Sequence, residues 1–148
     1  YTCNRQKINL DNTDLRDIGK FFEYREEGCV FCNLKRKKIE ENEFAFAIKD
    51  NFPVTKGHHL VIPKRHVSDY FDLEQSEINS INKILFSVKH NLEKKDKTIT
   101  GFNIGINSGV SAGQTIFHCH IHLIPRRDGD VKDPRGGVRG VIPEKQKY

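Results

Sequence analysis

At 148 residues with 36% hydrophobic side chains, including ten Phe, the chain suits one domain with a real core. It has no uninterrupted apolar run of the ~18–20 residues a membrane span needs, and residues 1–20 lack the apolar centre of a signal peptide, so a soluble, cytoplasmic protein is expected. The net charge of +5 comes from scattered Lys and Arg with clusters at 35–38, 94–97 and 126–127. Such clusters read as solvated surface that favours a small anionic substrate over nucleic acid.

Residues 1–12 are polar, and Leu15, Ile18 and Phe22 then recur at three and four, predicting a short amphipathic helix over 13–26 that ends at Gly28. Cys29 and Cys32 follow in C-x-x-C spacing; with Cys3 and Cys119 they make four cysteines, too few for a disulfide scaffold at this length. Residues 44–50 alternate Phe44, Phe46 and Ile48 like a strand, with Asn51, Pro53 and Gly57 as turn signals. Residues 58–63 read as a second strand. Asp72 and Gln75 have capping-box spacing, and Ile78, Ile81, Leu85, Val88 and Leu92 predict a helix to about 90–92 with one buried stripe. Phe102, Ile104 and Ile106 mark one face of a further strand, joined by the small-residue loop 108–113 to a strand over 115–124. The Gly- and Pro-rich tail has no clear period.

The strand 115–124 carries HCHIHLI. On a regular strand His118, His120 and His122 share one face, while Cys119, Ile121 and Leu123 point into the core. At ~3.3 Å per residue the outer backbones stand about 13 Å apart, too far for all three rings to reach one ion at about 2.0–2.1 Å. Acid, base or nucleophile chemistry remains: imidazole is partly neutral and nucleophilic near pH 7, and a neighbouring ring can hold or donate a proton to phosphate. Backbone N–H groups around Gly113, with the Gln114 amide, supply donors just before the row.

HCHIHLI with the preceding AGQTIF closely resembles the histidine triad (HIT) superfamily of nucleotide hydrolases and transferases. CVFCNL, IKDNFPVTKGHHLVIPKRH and INSGVSAGQTIFHCHIHLIPR occur in the order and approximate spacing of that superfamily. The resemblance implies an α+β fold with an antiparallel sheet of about five strands, one long helix and a short N-terminal helix, usually a homodimer. It divides the chain into an extension (1–27), a HIT domain (28–127) and a tail (128–148). It assigns the nucleophile to His120, a phosphate contact to His122, ordering of the site to His118, and a place beside the phosphate to His58. Gln114 joins the catalytic set. Asp50 matches the ribose-binding residue, Phe31, Leu34 and Ile48 the base pocket, and Asn107, Gly113 and Thr115 with Gln114 the phosphate-side set. Asn51 stands where relatives often have an apolar residue, which leaves base preference open.

Some bacterial members complete a zinc site from such a cysteine pair with two histidines, here Cys29, Cys32, His66 and His118; a structural zinc is thus implied. The tail RGGVRGVIPEKQKY resembles extensions of bacterial diadenosine tetraphosphate hydrolases. The expected function is hydrolysis of dinucleoside polyphosphates or nucleoside phosphoramidates through a nucleotidyl-histidine. The alternatives are a transferase or phosphorylase with the same first step, or a catalytically quiet zinc-bearing nucleotide-binding module. No thioredoxin-like pattern surrounds the cysteine pair.

Overall fold

The computed structural model describes residues 15–148, with side chains from residue 19 onward. Cys3, the polar stretch 1–12, the first two residues of the expected first helix and the side chains of Leu15 and Ile18 lie outside the described residues. Helix α1 (Leu15–Phe22) is followed by strands β1 (Glu40–Glu41), β2 (Ala45–Lys49) and β3 (His59–Pro63), helix α2 (Gln75–Lys95), and strands β4 (Ile99–Ile106) and β5 (Ile121–Arg127). All strand pairs are antiparallel, in the order β1-β2-β3-β5-β4. The fold is α+β, as expected.

The two-residue period of the strands sorts their side chains between two apolar layers. Ala45, Ala47, Val61, Cys119, Ile121 and Leu123 pack with Ile81, Ile84, Leu85 and Val88 of α2. Phe46, Ile48, Leu60 and Ile62 face the other way and are covered by Phe31. Cys119 is therefore a core residue, and burial pushes its thiol up to about 12.

Four boundaries differ from their sequence expectation. Helix α1 ends at Phe22 rather than 26. The Arg25 guanidinium donates to the carbonyls of Phe22 and Tyr24, and Tyr24 O also accepts the His66 N–H, so the chain leaves the helix to join the segment after β3. Asp72 does not cap α2. It ends a separate 3₁₀ turn (Tyr70–Asp72) capped by Asp69, and Glu74 is the N-cap of α2. Helix α2 runs on to Lys95, and its buried stripe includes Ile84 and Glu77, with Ile78 only half-buried.

The fourth difference concerns the histidines. The strand expected over 115–124 begins only at Ile121, because residues 107–120 form a long connection. Gly109 and Gly113, with φ of +91° and +90°, bracket a 3₁₀ turn, and the Cys119 N–H donates to Val67 O rather than to β4. On β4, the open outer strand, Phe102 and Ile106 pack on the core while Ile104 is 52% exposed. The tail folds as two 3₁₀ turns held by Arg139, which donates to the carbonyls of Lys145 and Gln146. A Cβ on Gly136 would stand 1.8 Å from Gln146 O, so only glycine fits there.

Glu77 is fully buried, which only its partners make tolerable. Arg65 grips it through Nε at 3.0 Å and Nη2 at 2.8 Å, and Glu77 in turn accepts the Glu74 N–H at 2.9 Å. The Arg65 guanidinium also donates to Asp72 O and lies 4.4 Å over the Phe21 ring, so one ion pair joins α1, α2 and the segment after β3. Removing one partner of a buried pair costs about 3–5 kcal/mol. Glu77→Gln should therefore lower the urea midpoint sharply at unchanged slope, and a midpoint like that of the parent would refute this role.

Candidate active site and metal centre

On the face opposite α2, two groups of ionisable side chains lie one after the other along the sheet. In the first, the ligand atoms of Cys29, Cys32, His66 and His118 lie within 4.8 Å of one another. His118 Nδ1 is 3.4 Å from Cys29 Sγ and 3.5 Å from Cys32 Sγ, and His66 Nδ1 is 3.5 Å from Cys32 Sγ. A tetrahedral ion with bonds of about 2.0–2.3 Å sets its ligand atoms roughly 3.3–3.8 Å apart. The outer nitrogens are anchored as metal-binding imidazoles require: His118 Nε2 donates to Pro63 O at 2.8 Å, and His66 Nε2 faces Glu26 Oε2 at 2.9 Å. Both Nδ1 lone pairs therefore point at the thiols. Burial pushes His118 down to about 4, so its ring is neutral. The Glu26 N–H donates to Cys32 Sγ at 3.4 Å. The donor set thus fits zinc.

The second group is Asp50, His58 and His122, also within 4.8 Å of one another. His58 Nε2 lies 2.9 Å from His122 Nδ1 and 3.4 Å from Asp50 Oδ2, which is 3.9 Å from His122 Nδ1. Here the outer nitrogen is arranged in the opposite sense, because the Val54 N–H donates to His58 Nδ1 at 3.2 Å. A neutral His58 then carries its proton on Nε2, where a metal would need a lone pair. The protons make this group a hydrogen-bonded relay: His58 Nε2–H donates to His122 Nδ1, and His122 keeps its proton on Nε2.

His120 sits between the two groups, its ring centroid 5.3 Å from that of His122 and 5.3 Å from that of Phe31. His120 Nδ1 donates to the His118 carbonyl at 2.8 Å, leaving the Nε2 lone pair outward. The outcome is an imidazole with a free lone pair beside one with a free N–H.

Among the other expected site residues, Phe31 and Ile48 are buried in the second apolar layer and Leu34 packs against it. Asp50 closes a turn by accepting the Phe52 N–H at 2.7 Å through Oδ1, leaving Oδ2 toward the histidines. Asn51 is exposed and bonded to Arg36. Gly113 and Thr115 are exposed and Asn107 is half-buried in the connection before the row. The Gln114 amide is engaged within that loop: Oε1 accepts the Gly109 N–H at 2.9 Å, and Nε2 donates to the carbonyls of Ser68 at 2.8 Å and Ile116 at 3.2 Å. Sequence reasoning missed Glu26 and the Val54 N–H. Nothing local distinguishes Glu26 from Glu23 or Glu27, and a backbone donor has no sequence signature.

This fold and site define a class, an antiparallel α+β domain with a row of histidines beside an apolar layer covered by Phe31. The model of the HIT domain matches residues 33–129, and the chain belongs to the HIT family. That family is one of nucleotide-binding hydrolases and transferases. A HIT-like protein of Mycoplasma pneumoniae is 37% identical over 103 residues, covering 66% of this chain and 71% of the relative. An adenylylsulfatase of Arabidopsis thaliana, HINT3, is 37% identical over 109 residues, covering 69% of this chain and 54% of its own length. Among solved structures, a zinc-bound histidine triad family protein from Mycobacterium smegmatis superposes with a TM-score of 0.65 at 35% identity, over 72% of this chain and 80% of that one.

Burial, reinforced by His120 and His58, pushes His122 down to about 4, and burial lowers His58 too. Between the unfolded value of 6.5 and the folded value the unfolded chain binds more protons. The contribution of His122 to stability is thus complete above about 6.5 and is lost as pH falls toward 4. In an NMR titration the His122 ring should show a midpoint near 4, with part of the acid loss of stability absent in His122→Asn. A midpoint at the ordinary 6.5 would contradict this environment.

Proposed function

We propose that the protein is a nucleotide hydrolase that acts on dinucleoside polyphosphates or nucleoside phosphoramidates, with His120 as nucleophile and zinc held by Cys29, Cys32, His66 and His118. The observation that carries the reading is the pair of fixed tautomers, His120 offering Nε2 as a lone pair and His122 offering Nε2–H beside it. The name of the plant relative, an adenylylsulfatase, agrees with cleavage beside an adenylyl phosphorus.

In this reading the base lies against Phe31, Leu34 and Ile48, and Asp50 Oδ2 accepts from the ribose hydroxyls. The loop with Asn107, Gly113 and Thr115, braced by Gln114, borders the phosphate. The His120 Nε2 lone pair attacks the α-phosphorus; a P–N bond forms as the bond to the leaving group breaks. His122 Nε2–H hydrogen-bonds the phosphate oxygens as charge shifts onto them. A polyphosphate departs as its anion, whereas an amine departs after taking a proton from solvent. Water then attacks phosphorus, the P–N electron pair returns to His120, and the proton of water passes to solvent. The products are a nucleoside monophosphate and the original imidazole. Zinc, with four protein ligands and no open position, would serve to cross-link the cysteine turn to the approach to β5. The homodimer implied by the family resemblance is part of this proposal, and the open edge of β4 with exposed Ile104 supports it.

Intact-mass measurement of samples quenched during turnover of diadenosine tetraphosphate and of adenosine phosphoramidate should reveal an adenylyl adduct. In His120→Ala the adduct should vanish and turnover drop by about a thousandfold or more; unchanged turnover would overturn the assignment. Metal analysis should find about one zinc per chain, lost in Cys29→Ser and retained in Asp50→Asn. A second equivalent that disappears with Asp50→Asn would contradict the proton arrangement assigned to His58.

A further inference from the structure

Cys29 and Cys32 face each other across one turn of chain. The Asn33 N–H donates to Cys29 O at 3.0 Å, and the Asn33 side chain donates to the same carbonyl at 3.0 Å and to Glu26 O at 3.3 Å, which closes the turn. A main-chain bond of this helical kind sets α-carbons three residues apart at about 5 Å, inside the roughly 4.4–6.8 Å that a disulfide spans. The two sulfurs lie within 4.8 Å of one another. Both cysteines are half-buried among exposed neighbours, Gly28, Val30 and Asn33. Cys32 also lines a cavity of about 300 Å³, ample room for a molecule of peroxide size.

The remaining described cysteine is shut off from this chemistry, because Cys119 is 1% exposed and packs in the other apolar layer with Ile81, Ile84 and Val88. At the pair itself, a metal and a disulfide ask for different spacings. Two sulfurs on one tetrahedral zinc stand about 3.8 Å apart, whereas bonded sulfurs stand at about 2.05 Å. Oxidation therefore contracts the turn and takes away two of four ligands. His66 and His118 stay anchored on Glu26 and Pro63, but two imidazoles are only half of a tetrahedral set. Phe31 lies between the cysteines in the chain, 5.7 Å from the His118 ring and 5.3 Å from the His120 ring. Contraction of the turn thus moves the ring that stands against both histidines.

We propose that Cys29 and Cys32 form a peroxide-sensitive switch: hydrogen peroxide converts the pair to a disulfide, which expels the zinc and withdraws Phe31 from His120. This inference rests on the zinc site of the reading above. The Cys32 thiolate attacks one peroxide oxygen, the O–O bond breaks, and a sulfenic acid forms as hydroxide departs. The Cys29 thiolate then attacks the Cys32 sulfur; the S–S bond forms as the S–O bond breaks and a second hydroxide leaves. Two electrons pass from the sulfurs to the peroxide, and two protons from solvent turn the hydroxides into water.

The test treats the zinc-loaded full chain with hydrogen peroxide. It follows zinc with a chromogenic chelator, the thiols by peptide mapping under non-reducing conditions, and AMP binding by calorimetry. About one zinc per chain should appear in solution as the disulfide between Cys29 and Cys32 forms. AMP affinity should fall severalfold, and a dithiol reductant with added zinc should restore both. Cys3→Ser should release zinc like the parent. Zinc retained through oxidation, a disulfide that includes Cys3 or Cys119, or an unchanged AMP affinity in the oxidised chain would overturn the switch and leave the zinc site standing. A reduced chain that takes up no zinc would overturn the zinc reading with it. Zinc release with the expected disulfide in a chain that never binds AMP would support the oxidation and overturn the nucleotide reading.

Discussion

The hydrogen bond from His118 Nε2 to the carbonyl of Pro63 fixes more of this protein than any other single contact. It ties the approach to β5 to the end of β3 and settles the tautomer of a fully buried ring. With Nε2 committed as donor, Nδ1 has only a lone pair to present to Cys29 and Cys32. The same residue uses its own carbonyl to take the Nδ1 proton of His120. One residue thus aims its side chain into the cysteine cluster and its main chain at the His120 imidazole, and the two cannot be displaced independently.

Proton placement separates two clusters that resemble each other in composition. Each brings imidazoles and anionic or soft ligands within bonding range of a common point. In the cysteine cluster every outer ring nitrogen meets an acceptor, a carbonyl for His118 and a carboxylate for His66. In the Asp50 cluster the outer nitrogen of His58 meets a donor. The first arrangement directs lone pairs inward and favours a cation; the second directs a proton inward and favours a hydrogen-bonded chain that ends on His122 Nε2–H. Counting ligands alone treats both as metal sites.

Where side-chain period and burial coincide, the sequence could be read directly. The alternation in 44–50 and the apolar run in 58–63 give β2 and β3, and the spacing from Ile81 to Leu92 gives most of the buried face of α2. The inward turn of Cys119, Ile121 and Leu123 also follows from period, although only the last two lie on a strand. The expected strand over 115–120 does not form because the Cys119 N–H pairs with Val67 O and the Gln114 side chain with Ser68 O, long-range bonds that no local pattern announces. The start of α2 was misplaced for a related reason. Asp72 has the right spacing, yet the buried charge of Glu77 selects Glu74 as cap by accepting its N–H. Burying an acid next to a distant Arg is legible only once the fold has brought Arg65 to it.

Phe31 connects these observations, because it follows Cys29 and precedes Cys32 within one turn of chain. Its ring lies 5.7 Å from that of His118 and 5.3 Å from that of His120, and it covers the apolar layer formed by Phe46, Ile48, Leu60 and Ile62. The cysteines therefore hold in place the ring that closes the pocket beside the proposed nucleophile. Loosening the cysteine turn would free Phe31, and the wall that it forms beside the histidine row would go with it. The histidines are placed by β5 and its approach, but the apolar wall beside them is set by the turn before β1.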